Sequence, residues 1–279
     1  MISIITPVYN AERFIGSCIQ VVIDQNCLNI EHIIIDGGST DRTVEIVKQY
    51  AEKYSHIRWI SEKDKGQSDA MNKGIAMAKG EILGILNVDD FYQPNVLNRI
   101  LKIFPSLPEP TLLVGNCNVL NDQDNIVQIN KPNNLNFLAL LTGIEHISTF
   151  PYNPSAYFYH TSLHQTIGLY KVDEHYAMDI DFILRAVQVA TVNYVDEIWG
   201  NFRLIKGTKT FNDLQSGQCG YRFFQILKQY RKQLPLSQQI RINTVEKRAH
   251  LQYFLTKNIK YSMRFLKRRI SSFLKATYI

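Results

Sequence analysis

The sequence predicts an α/β fold: a Rossmann-like, mostly parallel sheet flanked by helices, with a basic helical extension at the C-terminus. Three observations predict it. Short β-rich runs alternate with stretches of helical period from residue 2 to residue 86, polar turns follow the apolar runs, and charge is divided unevenly along the chain. The order βαβαβαβ calls for parallel strands joined by right-handed crossovers. With 279 residues, of which 45% are apolar, the chain can build one large core and an appendage.

Each element has its own justification. Ile2 to Thr6 reads as the first strand, followed by a helix from Ala11 to about Asp24. His32 to Ile35 reads as the second. Asp36-Gly-Gly-Ser-Thr-Asp41 then supplies a tight turn and an N-cap for a helix whose Val44, Val47, Ala51 and Tyr54 share a face. A strand at Ile57 to Ile60, a helix from Ser68 to Ala78 and a buried strand at 82–86 complete the series. A further helix is expected over 179–190.

Charge separates body from tail. Residues 1–220 carry 17 Lys/Arg against 24 Asp/Glu, a net of −7, whereas 221–279 carry 14 against the single Glu246, a net of +13. A basic arm of this kind suits an anionic partner, either nucleic acid or a membrane surface. Its Ile259, Met263, Leu266, Ile270 and Phe273 fall near helical spacing among Lys260, Arg264, Lys267, Arg268 and Arg269. That pattern admits both an interfacial helix over about 257–275 and a helix packed on the body or on a second subunit. The cysteines, Cys18, Cys27, Cys117 and Cys219, show no C-x-x-C spacing, which fits a reducing, cytoplasmic compartment. No signal-peptide pattern or bilayer-length apolar run is expected.

In an open parallel sheet, ligands bind at the carboxyl ends of the strands. Thr6 to Asn10, Asp36, Asp64 and Asp89 all fall there. The first turn, Thr6-Pro-Val-Tyr-Asn10, lacks the G-x-G-x-x-G of a dinucleotide site, and no Walker motif is present. Adjacent Asp89 and Asp90 repel unless a cation lies between them and an anionic ligand, and hard oxygen ligands favour Mg²⁺ or Mn²⁺. The other reading is that one carboxylate caps the helix starting near Pro94 and its neighbour is solvated.

Thr6-Pro-Val-Tyr-Asn10, Asp36-Gly-Gly-Ser-Thr-Asp41, Asp64-Lys-Gly-Gln-Ser-Asp-Ala-Met-Asn-Lys-Gly74 and Leu86-Asn-Val-Asp-Asp90, taken in order, resemble the family-two glycosyltransferases with the A-type nucleotide-sugar fold. The resemblance runs from residue 2 to about 205. It implies a nucleotide-binding half (1–120), an acceptor half (121–212) and a separate basic extension (213–279). It also implies an inverting, metal-dependent transfer of one sugar from a nucleoside-diphosphate donor, with uridine first and guanosine or thymidine open, in bacterial surface-polysaccharide assembly.

By that resemblance Asp36 accepts the imide N–H of a base walled by Pro7 and Tyr9, unless it is only an Asx turn. Asp64 assists base or ribose binding. Asp69 to Asn72 start a helix beneath the nucleotide, Asp89 meets ribose or metal, and Asp90 is the next metal-facing carboxylate. Asn87 stands where a strict D-x-D triplet would begin, which leaves the metal mainly on Asp89.

Gly168-Leu-Tyr170 and Met178-Asp-Ile-Asp-Phe-Ile-Leu-Arg185 are similar to the family's acceptor half. Met178 replaces the first acid of the usual Glu-Asp pair, so Asp179 matches the base, with Asp181 second; the other reading is that both only cap the helix. His146 to Ser155 is the expected acceptor loop. Arg203, with Lys206 to Lys209, is placed to close over the diphosphate. The absence of Q-x-x-R-W implies single addition. A lipid-linked saccharide is the implied acceptor, with peripheral contact at the inner membrane face. Two rivals remain: a nucleotidyltransferase, disfavoured by the first turn, and a nucleic-acid-binding protein, for which the acidic body would lack a purpose.

Overall fold

The computed structural model describes residues 1–142 and 150–248. β1 (Ile2–Val8) is buried along its whole length because it lies between two parallel neighbours. They are β2 (Ile30–Asp36), paired Ile2↔Ile30 to Val8↔Asp36, and β4 (Ile82–Ile85), paired Ile2↔Ile82 to Ile5↔Ile85. Burial on both faces explains why these strands are dominated by isoleucine, with their buried polar residues paired to one another, as Ser3 is to Glu31 and Thr6 to His32. β3 (Ile57–Ser61) pairs parallel to β2. The expected βαβαβαβ half is therefore present.

α1 (Ile15–Ile23) starts four residues later than its period suggests. Asn10 takes φ 47°, and Ala11 to Phe14 form a turn whose Ala11 N–H donates to Thr43 Oγ1 at 2.8 Å. α2 (Thr43–Lys53) has Arg42 at its N-cap with no side-chain cap; Asp41, one residue earlier, accepts the Thr43 N–H at 3.0 Å in an Asx-type turn, so the expected side-chain cap becomes a turn ahead of the helix. α3 (Gln67–Met77) packs Ala70, Met71 and Ile75 beneath β1 and β2. Gly74 permits this, because a Cβ there would meet the Ile5 side chain.

Beyond β4 the sheet turns mixed. β5 (Phe91–Tyr92), α4 (Val96–Ile103), β6 (Thr111–Leu120) and β7 (Ile126–Asn130) follow in order. Then come α5 (Phe137–Leu141), β8 (Tyr157–His160), α6 (Leu163–Ile167), α7 (Met178–Ala186) and β9 (Thr191–Arg203). β8 runs antiparallel to β4 and β6, and the order is β3-β2-β1-β4-β8-β6-β9-β5, with β7 on β6. α7 stops at Ala186, short of the expected 190, because a closing turn delivers Thr191 to β9.

The expected boundary at 212/213 falls inside α8 (Lys209–Ser216). α9 (Gln218–Lys232) buries Phe223, Ile226 and Leu227 in the core that also holds Met71, Tyr157 and Phe182, and Ile242 of the following helix, 236–248, joins them. Arg222 Nε donates to Glu174 Oε2 at 2.6 Å, and Arg231 Nε donates to Leu141 O at 2.7 Å. To residue 248, then, the basic segment is part of the body's packing. The apolar pattern at 259–273 lies outside the described residues. Among the described residues, no helix is long and apolar enough to cross a membrane.

Candidate active site

The carboxyl ends of β1 and β4 and the loop after β3 open into one cleft of ≈ 530 Å³. Pro7, Tyr9, Asp64, Asn87 and Asp89 line one side, and His175, Met178, Thr208 and Lys209 line the other. Tyr9 is 63% exposed at the mouth. Asn10 also lines the cleft and couples two turns: its Oδ1 accepts the Thr40 N–H at 2.8 Å and its own N–H donates to Ser39 Oγ at 2.7 Å. Thr6 lies below, buried, with its hydroxyl 2.9 Å from His32 Nε2.

Asp36 does not face the cleft. It is 1% exposed, and both carboxylate oxygens are occupied: Oδ2 accepts Gly38 N–H, Ser39 N–H and Ser61 Oγ–H, and Oδ1 accepts Ser39 Oγ–H. The Asx-turn reading describes it. Asp69 accepts the Lys65 N–H and closes the start of α3. Asn72 makes two bonds to the backbone of Tyr170, at 2.8 and 2.9 Å, pinning α3 to the later half of the chain. Neither lines the cleft.

At the β4 turn the two acids divide. Asp90 is 2% exposed; its Oδ2 accepts from Asn153 Nδ2 at 2.6 Å and Asn87 Nδ2 at 3.1 Å, and its Oδ1 accepts the Arg203 N–H at 3.0 Å. Burial, with the neighbouring Asp89 charge, pushes its pKa up to about 8. Asp90 also lines the cleft, but both of its oxygens already accept bonds from the scaffold, unlike those of Asp89. Asn87 continues the chain of amides, accepting from Gln67 Nε2 at 3.0 Å. Asp89, half-buried, accepts no side-chain bond among the described residues and lines the cleft; burial raises its pKa, and Arg203 draws it back.

The Arg203 guanidinium stacks over Phe91 at 4.5 Å and binds Asp124 at 2.8 Å, outside the cleft lining. Lys209 holds the closing position instead. Its Nζ donates to His175 O at 2.6 Å and to Asp213 Oδ2 at 2.7 Å, bridging the loop before α8 to the loop before α7.

α7 divides its acids in the same way. Asp181, 2% exposed, binds Lys171 at 2.6 Å and Arg185 at 2.8 Å and accepts from Tyr230 Oη at 3.3 Å. Asp181 is not among the cleft-lining residues, and its i,i+4 spacing to Arg185 is the local signal of this pairing. Asp179 is half-buried beside cleft-lining Met178, and burial pushes its pKa up to about 6 against the lowering effect of Lys209 and the Tyr157 hydroxyl. Glu174 orients this start of α7: its Oε1 accepts the Ala177 N–H at 3.1 Å while Arg222 holds its Oε2.

The site residues that the sequence reading missed are Gln67, Asn153, Glu174 and His175. None carries a local signal, because each works through a partner distant in the chain. In the expected acceptor loop, His146 lies outside the described residues, and Phe150 and Asn153 are buried scaffold.

No group of three or more His, Cys, Asp or Glu side chains converges on a metal position among the described residues. A cation would rest on Asp89 and on phosphate oxygens of a bound donor. That set fits Mg²⁺ or Mn²⁺, which retain waters and bind through one or two carboxylates plus substrate phosphates.

A parallel βαβ half with a strand-end acid cleft, continued by a mixed half, defines a nucleotide-sugar-type α/β fold. The same fold occurs in S. aureus TarS 1–349 in complex with UDP-GlcNAc (TM-score 0.61, 18% identity, 75% of this chain and 60% of that one). It occurs too in the Pyrobaculum calidifontis mannosyltransferase PcManGT in complex with GDP-Man and Mn²⁺ (TM-score 0.60, 17% identity, 82% and 64% covered). The glycosyl transferase family 2 model matches residues 3–151, and the chain belongs to that family. Escherichia coli chondroitin synthase is 33% identical over 104 residues, 37% of this chain and 15% of that protein. The chain spans about a third or less of the length of such curated relatives.

Proposed function

We propose that this chain is an inverting glycosyltransferase that moves one sugar from a nucleoside-diphosphate donor, a UDP-sugar first, to an acceptor hydroxyl. The observation that carries the reading is a half-buried carboxylate, Asp179, of pKa about 6, next in the chain to Met178, which lines the same cleft as Asp89. A base near that pKa is largely ionised at pH 7 yet can still take a hydroxyl proton as the anomeric bond forms and the nucleoside diphosphate departs. Pro7 and Tyr9 wall the base end, Asp64 faces it, and Lys209 approaches the diphosphate. Mg²⁺ or Mn²⁺ on Asp89 would supply Lewis-acid stabilisation of the leaving phosphates.

The UDP-GlcNAc and GDP-Man complexes of the two structural neighbours support a nucleotide-sugar donor, and the Mn²⁺ in one supports a divalent ion. The chondroitin synthase likeness supports polysaccharide assembly. The test is a thermal-shift screen of nucleoside diphosphates with and without Mn²⁺, followed by sugar transfer. A chain stabilised by none of them would refute the reading.

A lipid-linked saccharide at the inner membrane face is the proposed acceptor, with residues 257–275 as the membrane contact. No nucleic-acid partner enters this reading. Each basic group near anionic lipid contributes roughly 1 kcal/mol. Vesicles containing anionic lipid should sediment the full chain but not a 1–255 truncation; equal sedimentation would reject the contact.

A further inference from the structure

We infer that Asp64, not Asp36, reads the nucleobase, and that it selects a base presenting one ring imide N–H, uracil or thymine. The inference rests on the nucleotide-sugar reading of the cleft and names its specificity element. Three observations converge on it. Asp36 has every carboxylate oxygen occupied within its own turn and by Ser61, at 1% exposure. The next residue is Gly37, and a Cβ there would collide with Asp64 Oδ2, so the Asp64 carboxylate sits over the Gly37 backbone. Asp64 lines the cleft in company with Pro7, Val8 and Tyr9, and Gly37 itself is bonded to Val8 O at 2.9 Å.

The two Asp64 oxygens are not equivalent. Oδ1 accepts the Gly66 N–H at 2.8 Å, which fixes the plane of the carboxylate. Among the described residues Oδ2 has no hydrogen-bond partner and Asp64 forms no ion pair, and the residue is half-buried. One oriented acceptor is left for a ligand donor, since the nearby Lys73 acts on Asp64 only through space and is paired with Glu62 and Asp69. Uracil and thymine offer one N–H flanked by carbonyls. Cytosine and adenine place an acceptor nitrogen at the corresponding position and would face the carboxylate lone pair to lone pair. Guanine carries two adjacent donors, one more than the free oxygen serves. A site built around a hydrogen bond rejects a ligand that leaves its polar group unpaired.

The substitution Asp64→Asn makes the mechanism visible. With Oδ1 still on Gly66 N–H, the amide would place its NH₂ where Oδ2 was. It would then oppose the uracil N–H and welcome the cytosine ring nitrogen. Calorimetric titration of the full chain with UDP, GDP and CDP in Mn²⁺ is the experiment. Wild type should bind UDP at least tenfold more tightly than GDP or CDP. Asp64→Asn should lose roughly 10- to 100-fold in UDP affinity while CDP affinity holds or rises, narrowing or inverting the ratio.

A purely structural Asp64 would weaken UDP and CDP alike, and that result would overturn the inference. Gly37→Ala, checked for an intact melting transition, should displace the carboxylate and reproduce the UDP loss; unchanged UDP affinity there also counts against it. If wild type binds GDP as well as UDP, the single-donor rule is wrong. If wild type binds UDP and Asp64→Asn binds it equally, only the base assignment fails. If wild type binds no nucleoside diphosphate, the reading of the cleft fails with it.

Discussion

The turn after β4 and the start of α7 each carry two acids, and the fold treats the members of each pair oppositely. In one, both acids line the cleft, but Asp90 is buried under three donors while Asp89 accepts no side-chain bond among the described residues. In the other, Asp181 is buried between Lys171 and Arg185 and Asp179 is left beside the cleft with a pKa of about 6. A charged pair near a reaction centre thus resolves into one anchor and one reagent. The anchor's bonds hold the backbone that aims the reagent.

The sharpest break of this comparison is Asp179→Asn. Turnover should fall about 10²- to 10⁴-fold with UDP affinity unchanged, since a base acts on the acceptor proton only in the transition state. Single-turnover transfer assays beside calorimetry would show it, and a normal rate would move the base elsewhere.

Asp181→Ala should do the reverse. It strands Arg185, whose side chain is 15% exposed, and should cost on the order of 3 kcal/mol of stability in denaturant unfolding while turnover per folded molecule stays near normal. Selective loss of turnover would make Asp181 the reagent.

At the other pair, Asp89→Asn should reduce Mn²⁺-dependent UDP affinity by roughly 10-fold or more without a change in melting temperature, as a half-buried cleft group supports no core packing. Asn153→Ala, which removes the 2.6 Å bond to the anchor Asp90, should lower stability by about 1–3 kcal/mol. Affinity that follows melting temperature in both variants would erase the distinction between anchor and reagent.

The smallest effects are in pH. Turnover should fall about tenfold per unit below pH 6 as Asp179 protonates, and plateau above 7. The folded pKa of Asp179 lies above the ordinary carboxylate value of 3.8, so the folded state holds the extra proton, and the stability cost of its charge grows as pH rises from about 4 to 6. Asp179→Asn should therefore raise the melting temperature slightly at pH 7, on the order of 2 °C, and leave it unchanged near pH 4. A larger shift at pH 4 than at pH 7 would reverse the sign of the argument.

What could be read from sequence was local. The parallel half followed from mostly apolar runs and turns, because a strand buried on both faces, as Ile2–Val8 and Ile30–Asp36 are, admits polar residues only where they find partners, as Ser3 does with Glu31 and Thr6 with His32. The turn at Asp41 that opens α2 and the presence of Asn87 where a strict D-x-D triplet would begin were legible for the same reason. So was Asp181 with Arg185, four residues apart on one helix face.

The tertiary structure decided everything that depends on partners far along the chain. Asp36 and Asp64 look alike as strand-end acids, yet Ser61 and the turn after Asp36 exhaust one, while the missing side chain at Gly37 makes room for the other. Asp90 became an anchor through Asn153 and the Arg203 backbone, 63 and 113 residues away. The basic tail looked separable by charge, but Phe223, Ile226 and Leu227 share a helical stripe that needed the body's core to cover it. Charge and period are properties of a segment. Which lone pairs and which apolar faces are already occupied is a property of the packed molecule, because burial makes an unsatisfied group costly and so assigns every partner at once.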